Sequence, residues 1–283
     1  MSVADWLKQY DNQRRVMITV FILLVAAPFI RPLSLPVPIT QPTRMFYDEI
    51  QNIQPDDIIV VDFNFAASNW GELGAGSIAL LKQLAVKRAT TDFKVVFLAT
   101  MESGPYMLQR SLDAVGGWPA INLGDYGEDW VSLGFMSGGE PMTAAMASNF
   151  NSIYRTDDQG TPVEELPLMT RISTVEDIEM VIHFNMGGDS DKYRKQWGVP
   201  FGVKVLQIVQ GIHVPTQAMY LSAEQVQGYI ASIRGAAEYE LLIGKPGEAI
   251  VSTDALSMSH LMVIAVIVAG NLTYFLIEKK EVP

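Results

Sequence analysis

The sequence predicts an α/β protein: a Rossmann-like, largely parallel sheet of about five strands with helices on both faces, plus one transmembrane helix near each terminus. Three observations predict it. Between residues 57 and 245, short and continuously apolar runs alternate with helical patterns, which marks stacked βαβ units whose strands are buried on both faces. Met258 to Ile277 is a stretch of 20 residues without Asp, Glu, Lys or Arg, long enough to cross a bilayer core. Val16 to Ile30 is a second uncharged run, of 15 residues.

The shorter run needs its flanks. Trp6, Leu7 and Tyr10 extend it as a helix through the headgroup layer, and Arg14 and Arg15 snorkel towards the interface. The competing reading is a cleavable signal peptide, with Arg14 and Arg15 as its basic region and Val25-Ala26-Ala27 as a small-residue site. Membrane insertion is the reading adopted. The longer run ends in Lys279 and Lys280, with Tyr274 and Phe275 where an aromatic belt belongs. Basic residues at the outer ends of both runs predict that both termini are cytoplasmic and that the intervening domain is periplasmic or extracellular. That domain, from Pro32 to Ser257, holds 27 of the 31 acidic residues and 14 of the 20 basic ones.

The predicted organisation is a cytoplasmic tail and first span at 1–31, a connector at 32–56, the α/β domain at 57–245, a linker at 246–257, the second span at 258–277 and a tail at 278–283. Four prolines, at 32, 36, 38 and 42, make the connector extended. It ends in an amphipathic helix at about 43–53 with Phe46, Ile50 and Ile53 on one face. Strands follow at Ile58–Phe63, Lys94–Thr100, Trp130–Phe135, Glu179–Phe184 and Val203–Val209. Between them the helical patterns are Gly74–Arg88, Pro105–Val115, Pro141 to about Asn149, and a short helix near Asp191–Trp197. Residues 151–170, with Asp157-Asp158-Gln159-Gly160 and two prolines, interrupt the alternation as a hairpin or a lid. A long helix at Ser222–Ile243 closes the domain, its start read from Ser222 and Gln225 as a capping box.

The net charge of −11 gives little purchase on phosphate backbones, so nucleic acid is not an expected partner. The absence of cysteine excludes disulfides, thiolate metal sites and thiol nucleophiles. The three histidines lack metal-ligand spacing, so no metal is expected. No cofactor is expected either: the glycines at 71, 74 and 76 lack GxGxxG spacing, and no acid ends the second strand. No GxSxG elbow marks a nucleophile.

Ligands of open parallel sheets sit beyond the carboxyl ends of the strands. This rule selects Asn64, Ser68 and Asn69 after the first strand, Ser103 after the second, Ser137, Gly138 and Gly139 after the third, and Asn185, Gly187 and Gly188 after the fourth. A second set points to contacts between helices or subunits: an exposed Trp70, the small-residue run Gly235-Ala236-Ala237, and Gly270 and Asn271 in the second span. The leading functional expectation is a structural or assembly subunit of an oligomeric membrane complex, with the lipid bilayer and copies of itself or other membrane subunits as partners. An extracytoplasmic ligand-sensing or binding domain is the alternative, and a membrane-anchored hydrolase the third.

Overall fold

A computed structural model describes residues 9–187 and 191–276. The chain divides into two compact units, one formed by the segments up to Pro36 and from Ile250, the other by Val37–Ala249.

In the first unit, helix α1 spans Tyr10–Ile30, so the apolar stretch is extended back to Tyr10, while Trp6 and Leu7 lie outside the described residues. The last helix of the chain runs from Glu248 to Leu276. Both are long and apolar enough to cross a membrane, and only 6% of each apolar window is buried. The terminal helix starts well before Met258, so the expected linker is helical from Glu248 onward. Glu248 lies in its first turn, where the helix dipole favours an acid. The side chain of Tyr274 and everything beyond Leu276 lie outside the described residues.

The second unit holds α2 (Gln41–Gln51), β1 (Ile58–Asp62), α3 (Trp70–Arg88), β2 (Lys94–Ala99), α4 (Gly104–Val115), β3 (Trp130–Phe135), α5 (Gly139–Ser148), β4 (Met180–Asn185), β5 (Lys204–Val209), α6 (Val214–Ser222), β6 (Gly228–Ala231) and α7 (Ser232–Leu242). The terminal helix is α8. Six strands form one sheet in the order β3-β2-β1-β4-β5-β6, and every pairing is parallel. The order reverses between β1 and β4, the switch point beside which open α/β sheets bind ligands. One face of the sheet carries Ile58, Val60, Val96, Leu98, Val181 and Val205 into a core closed by Phe150, Tyr193 and Trp197. Phe46 and Ile50 are buried on one face of α2 as predicted, and Ile53, also buried, lies just past its end.

The helix expected at Ser222–Ile243 is instead the end of α6, the sixth strand and α7. Ser222 caps nothing: its hydroxyl donates to Ala218 O at 2.9 Å, one turn back. The segment became a strand through a tertiary contact. A Cβ on Gly228 would stand 2.4 Å from the Phe46 backbone nitrogen, so only glycine lets α2 lie across β6 while Leu206, Gln207, Ile208 and Val209 pair along it. The glycines 71, 74 and 76 likewise lie inside α3 and not in a loop. A Cβ on Gly76 would meet Ile208 at 2.9 Å, which is how closely that helix packs on the sheet. Residues 151–170 contain a hairpin turn: Thr156 bridges Pro162 in antiparallel fashion, and Asp158 N donates to Ser132 O at 3.0 Å, tying the turn to β3.

Candidate functional site at the carboxyl edge of the sheet

Three neighbouring strands place a polar residue at one level near their carboxyl ends. Asp62 of β1 is in register with His183 of β4, and His183 with Gln207 of β5. All three side chains are fully buried. Their parity along the strands puts them on the same face as Val60, Val181 and Val205, so a polar row crosses the sheet just above its apolar core.

Asp62 is heavily coordinated. Its carboxylate accepts from Thr100 N at 2.9 Å and Thr100 Oγ1 at 2.6 Å, both just past the end of β2. Tyr193 OH donates to it at 3.0 Å, and Lys192 Nζ stands 3.4 Å away while also donating to Thr100 Oγ1. Lys192 is as buried as Asp62. Next to them the chain forms a π-helical turn, Arg194–Gly198, a distortion that recurs at functional sites. Desolvating two charges costs several kcal/mol per ion, so a buried pair is seldom an efficient source of stability. Complete burial, with Asp62 nearby, drives the Tyr193 phenol far above its usual range and keeps it a donor.

A cleft of about 590 Å³ opens beside this cluster, a volume typical of small-molecule sites. Leu133, Phe135, Met136 and Ile153 supply apolar walls, and Arg155, Asp157 and Asp158 supply charge. Tyr154 joins cleft to cluster. It lines the cleft, is 2% exposed, and has a hydroxyl with no hydrogen-bond partner among the described residues. Burial raises its pKa, with Asp62 adding to the effect. Asp157 is occupied, accepting from Tyr126 OH at 2.6 Å, Gln159 N at 2.9 Å and Thr161 N at 2.7 Å. Asp158 accepts from the Ser132 side chain and, more distantly at 3.5 Å, from the same phenol. Burial and the neighbouring Asp157 hold its carboxyl above the usual aspartate value. A smaller pocket of about 70 Å³ adjoins through Pro105, Gly134 and Asp158.

The residues selected from the sequence are distributed around this edge without converging. Asn64 is buried, whereas Ser68 and Ser137 are exposed. Ser68 Oγ reaches only Asn69 Oδ1, at 3.5 Å. Ser103 Oγ donates to Phe65 O at 3.1 Å, drawing the loops after β1 and β2 together. Gly138 and Gly139 lead into α5, and Gly187 packs against His213. Asn185 Nδ2 donates to Gln207 Oε1 at 2.9 Å, which extends the polar row, and Asn185 Oδ1 and Gln207 Nε2 have no partner among the described residues. Gly188 lies outside the described residues. Asp62, Thr100, Lys192, Tyr193 and the cleft residues had no place among those candidates. The signal for the row was present as a polar residue near the end of three otherwise apolar runs, in Val61-Asp62-Phe63, Ile182-His183-Phe184 and Leu206-Gln207-Ile208.

The second set of candidates is largely consumed within the domain. Trp70 is half-buried, with Phe65 stacked at 6.4 Å and the Arg110 guanidinium 3.9 Å from its ring. Gly235, Ala236 and Ala237 are buried in α7, and a Cβ on Gly235 would lie 3.0 Å from the Ile230 carbonyl carbon. Their neighbours Glu238 and Glu240, both buried, hold connector backbone. Glu238 accepts from Thr40 N at 2.9 Å and Thr40 Oγ1 at 2.6 Å, and Glu240 from Gly247 N at 2.9 Å and Ala249 N at 3.1 Å. In the other unit, buried Asp254 of α8 accepts from Leu33 N, Ser34 N and Leu35 N at 2.8 to 3.0 Å. Gly270 has nothing within 4 Å of its Cβ position. Asn271 is exposed and donates only to Ile267 O, at 2.9 Å.

Among the described residues, no three His, Asp or Glu side chains gather in a way that could hold a metal ion. Comparison with models of known protein families and with curated proteins finds no match.

Proposed function

We propose that the chain is a membrane-anchored, extracytoplasmic α/β domain that binds a small ligand at the carboxyl edge of its sheet and is not an enzyme. The observation that carries this is the 590 Å³ cleft at the carboxyl edge, walled by apolar side chains and by Arg155, Asp157 and Asp158. The cleft also lies where parallel sheets bind ligands. Two apolar, unburied helices support the anchorage, and the basic residues at their outer ends support placing both termini in the cytoplasm.

The test uses the full chain in mild detergent and a low-molecular-mass extract of the source cells. The extract should raise the melting temperature of the wild type by several degrees and leave Ile153→Trp, which fills the cleft, unshifted. An equal shift in both, or none in either, contradicts the proposal.

The assembly-subunit reading keeps one specific support. Gly270 offers an open surface next to Asn271 on α8, and small and polar residues are what helices use to pack in lipid. Contact there with a second copy or another membrane subunit is compatible with ligand binding.

A further inference from the structure

Resting on the reading of α1 and α8 as membrane spans, we infer that Asp254 is a clip that joins them into one helical hairpin, with both outer ends on the same side of the bilayer. Asp254 lies near the start of α8 and is 1% exposed. Its carboxylate accepts from Leu33 N at 2.8 Å, Ser34 N at 2.9 Å and Leu35 N at 3.0 Å, on the segment that leaves α1. Ser34 has a φ of 49°, a left-handed conformation that a residue other than glycine keeps only when its surroundings impose it. Three successive N–H groups turned on one anion form a nest.

Each half of this clip needs the other. A carboxylate shielded from water is tolerated only when protein donors replace its hydration, and amides that leave a helix beside lipid need an acceptor from the protein. Contacts further along the helices set their direction. Met17 and Phe21 of α1 line one apolar groove with Met262, Val266 and Ile267 of α8. Going forward from Met17 to Leu33 on one side therefore matches going back from Ile267 to Asp254 on the other, so the helices are antiparallel. Apolar side chains gain little by leaving lipid for one another. The clip instead joins one carboxylate to three specified amides, which fixes both the pairing and its direction. Antiparallel spans put Tyr10 and Leu276 on one side of the membrane without any appeal to the count of basic residues.

The chain has no cysteine, so introduced pairs report without background. In membranes of cells expressing the full chain, Phe21→Cys combined with Met262→Cys or with Val266→Cys should give an intrachain disulfide on oxidation in at least one case. Asp254→Ala should lower that yield at least fivefold. Ser34→Pro, which removes a donor from the other half of the clip, should do the same, whereas Ser34→Gly, which accepts the left-handed backbone, should keep the yield. Hydrogen exchange in β1 and β4 should match the wild type throughout. A yield that survives both Asp254→Ala and Ser34→Pro overturns the clip, as does faster exchange in β1 and β4, which would assign Asp254 to the fold of the whole chain. In sealed vesicles a membrane-impermeant maleimide should label Ser2→Cys and Val282→Cys from the same side, and labelling from opposite sides overturns the hairpin. Alkaline carbonate separates the two levels: a chain released from membranes removes the anchorage and the clip together, whereas a retained chain that forms neither disulfide removes the clip alone.

Discussion

The buried carboxylates of this protein fall into two groups that differ in what they hold. Glu238, Glu240 and Asp254 each accept hydrogen bonds from backbone amides of connector segments, at Thr40, at Gly247 and Ala249, and at Leu33 to Leu35. Asp62, at the carboxyl edge, instead holds one amide and three side chains, Thr100, Tyr193 and Lys192. Around it Tyr154, Asn185 and Gln207 keep polar atoms without a partner among the described residues. A carboxylate on backbone amides replaces water efficiently and fixes the path of the chain. A buried ion pair amid half-satisfied polar groups is a poor way to stabilise a fold. The first group is construction, and the second is a polar cluster whose burial does little to stabilise the fold.

The largest effect should come from breaking the ion pair. Asp62→Ala leaves the buried Lys192 without its carboxylate partner, and should cost about 4 kcal/mol in chemical denaturation. Asp62→Leu combined with Lys192→Met should recover most of that loss. A double variant as unstable as the single one would show that the pair itself carries the fold.

Next is Asp254→Ala, which strips three consecutive amides of their acceptor and should cost about 2 kcal/mol of local stability. Hydrogen exchange at Leu33 to Leu35 should then accelerate about thirtyfold, with exchange in β1 and β4 unchanged. Glu240→Ala should cost a similar amount, read as faster exchange at Gly247 and Ala249.

The smallest effect has the opposite sign. Asp158 has a native pKa raised above its unfolded value, so the native state is disfavoured once pH rises through the native pKa and relieved below the unfolded one. Asp158→Asn should therefore stabilise the domain slightly at neutral pH, and the gain should vanish as pH falls towards 4.

How much of this was legible in the sequence depends on whether the information was local. The first five strands were readable to within a residue because continuous apolar runs need no context. The sixth was not, since Gly228-Tyr229-Ile230-Ala231 sits between helix-compatible stretches and is set by the contact of Gly228 with Phe46. In Gly235-Ala236-Ala237-Glu238-Tyr239-Glu240 the small residues announced a close helix contact, but the role of the two acids was not legible, because only the folded chain brings Thr40 and Gly247 to them. The polar row could have been found by aligning the ends of the apolar runs. The cleft could not, because Leu133 to Met136 and Tyr154 to Asp158 meet only through the hairpin pinned to β3.

The Tyr154 hydroxyl, without a partner among the described residues, bears most directly on the claim that the polar cluster at the carboxyl edge does not serve the fold. Removing a buried hydroxyl that lacks a partner relieves its desolvation cost, whereas removing a bonded one costs about 1 kcal/mol or more. The denaturation midpoint of Tyr154→Phe, measured on the full chain without ligand, should equal or exceed that of the wild type. A loss of 1 kcal/mol or more would mean that the hydroxyl serves the fold, and would contradict the account.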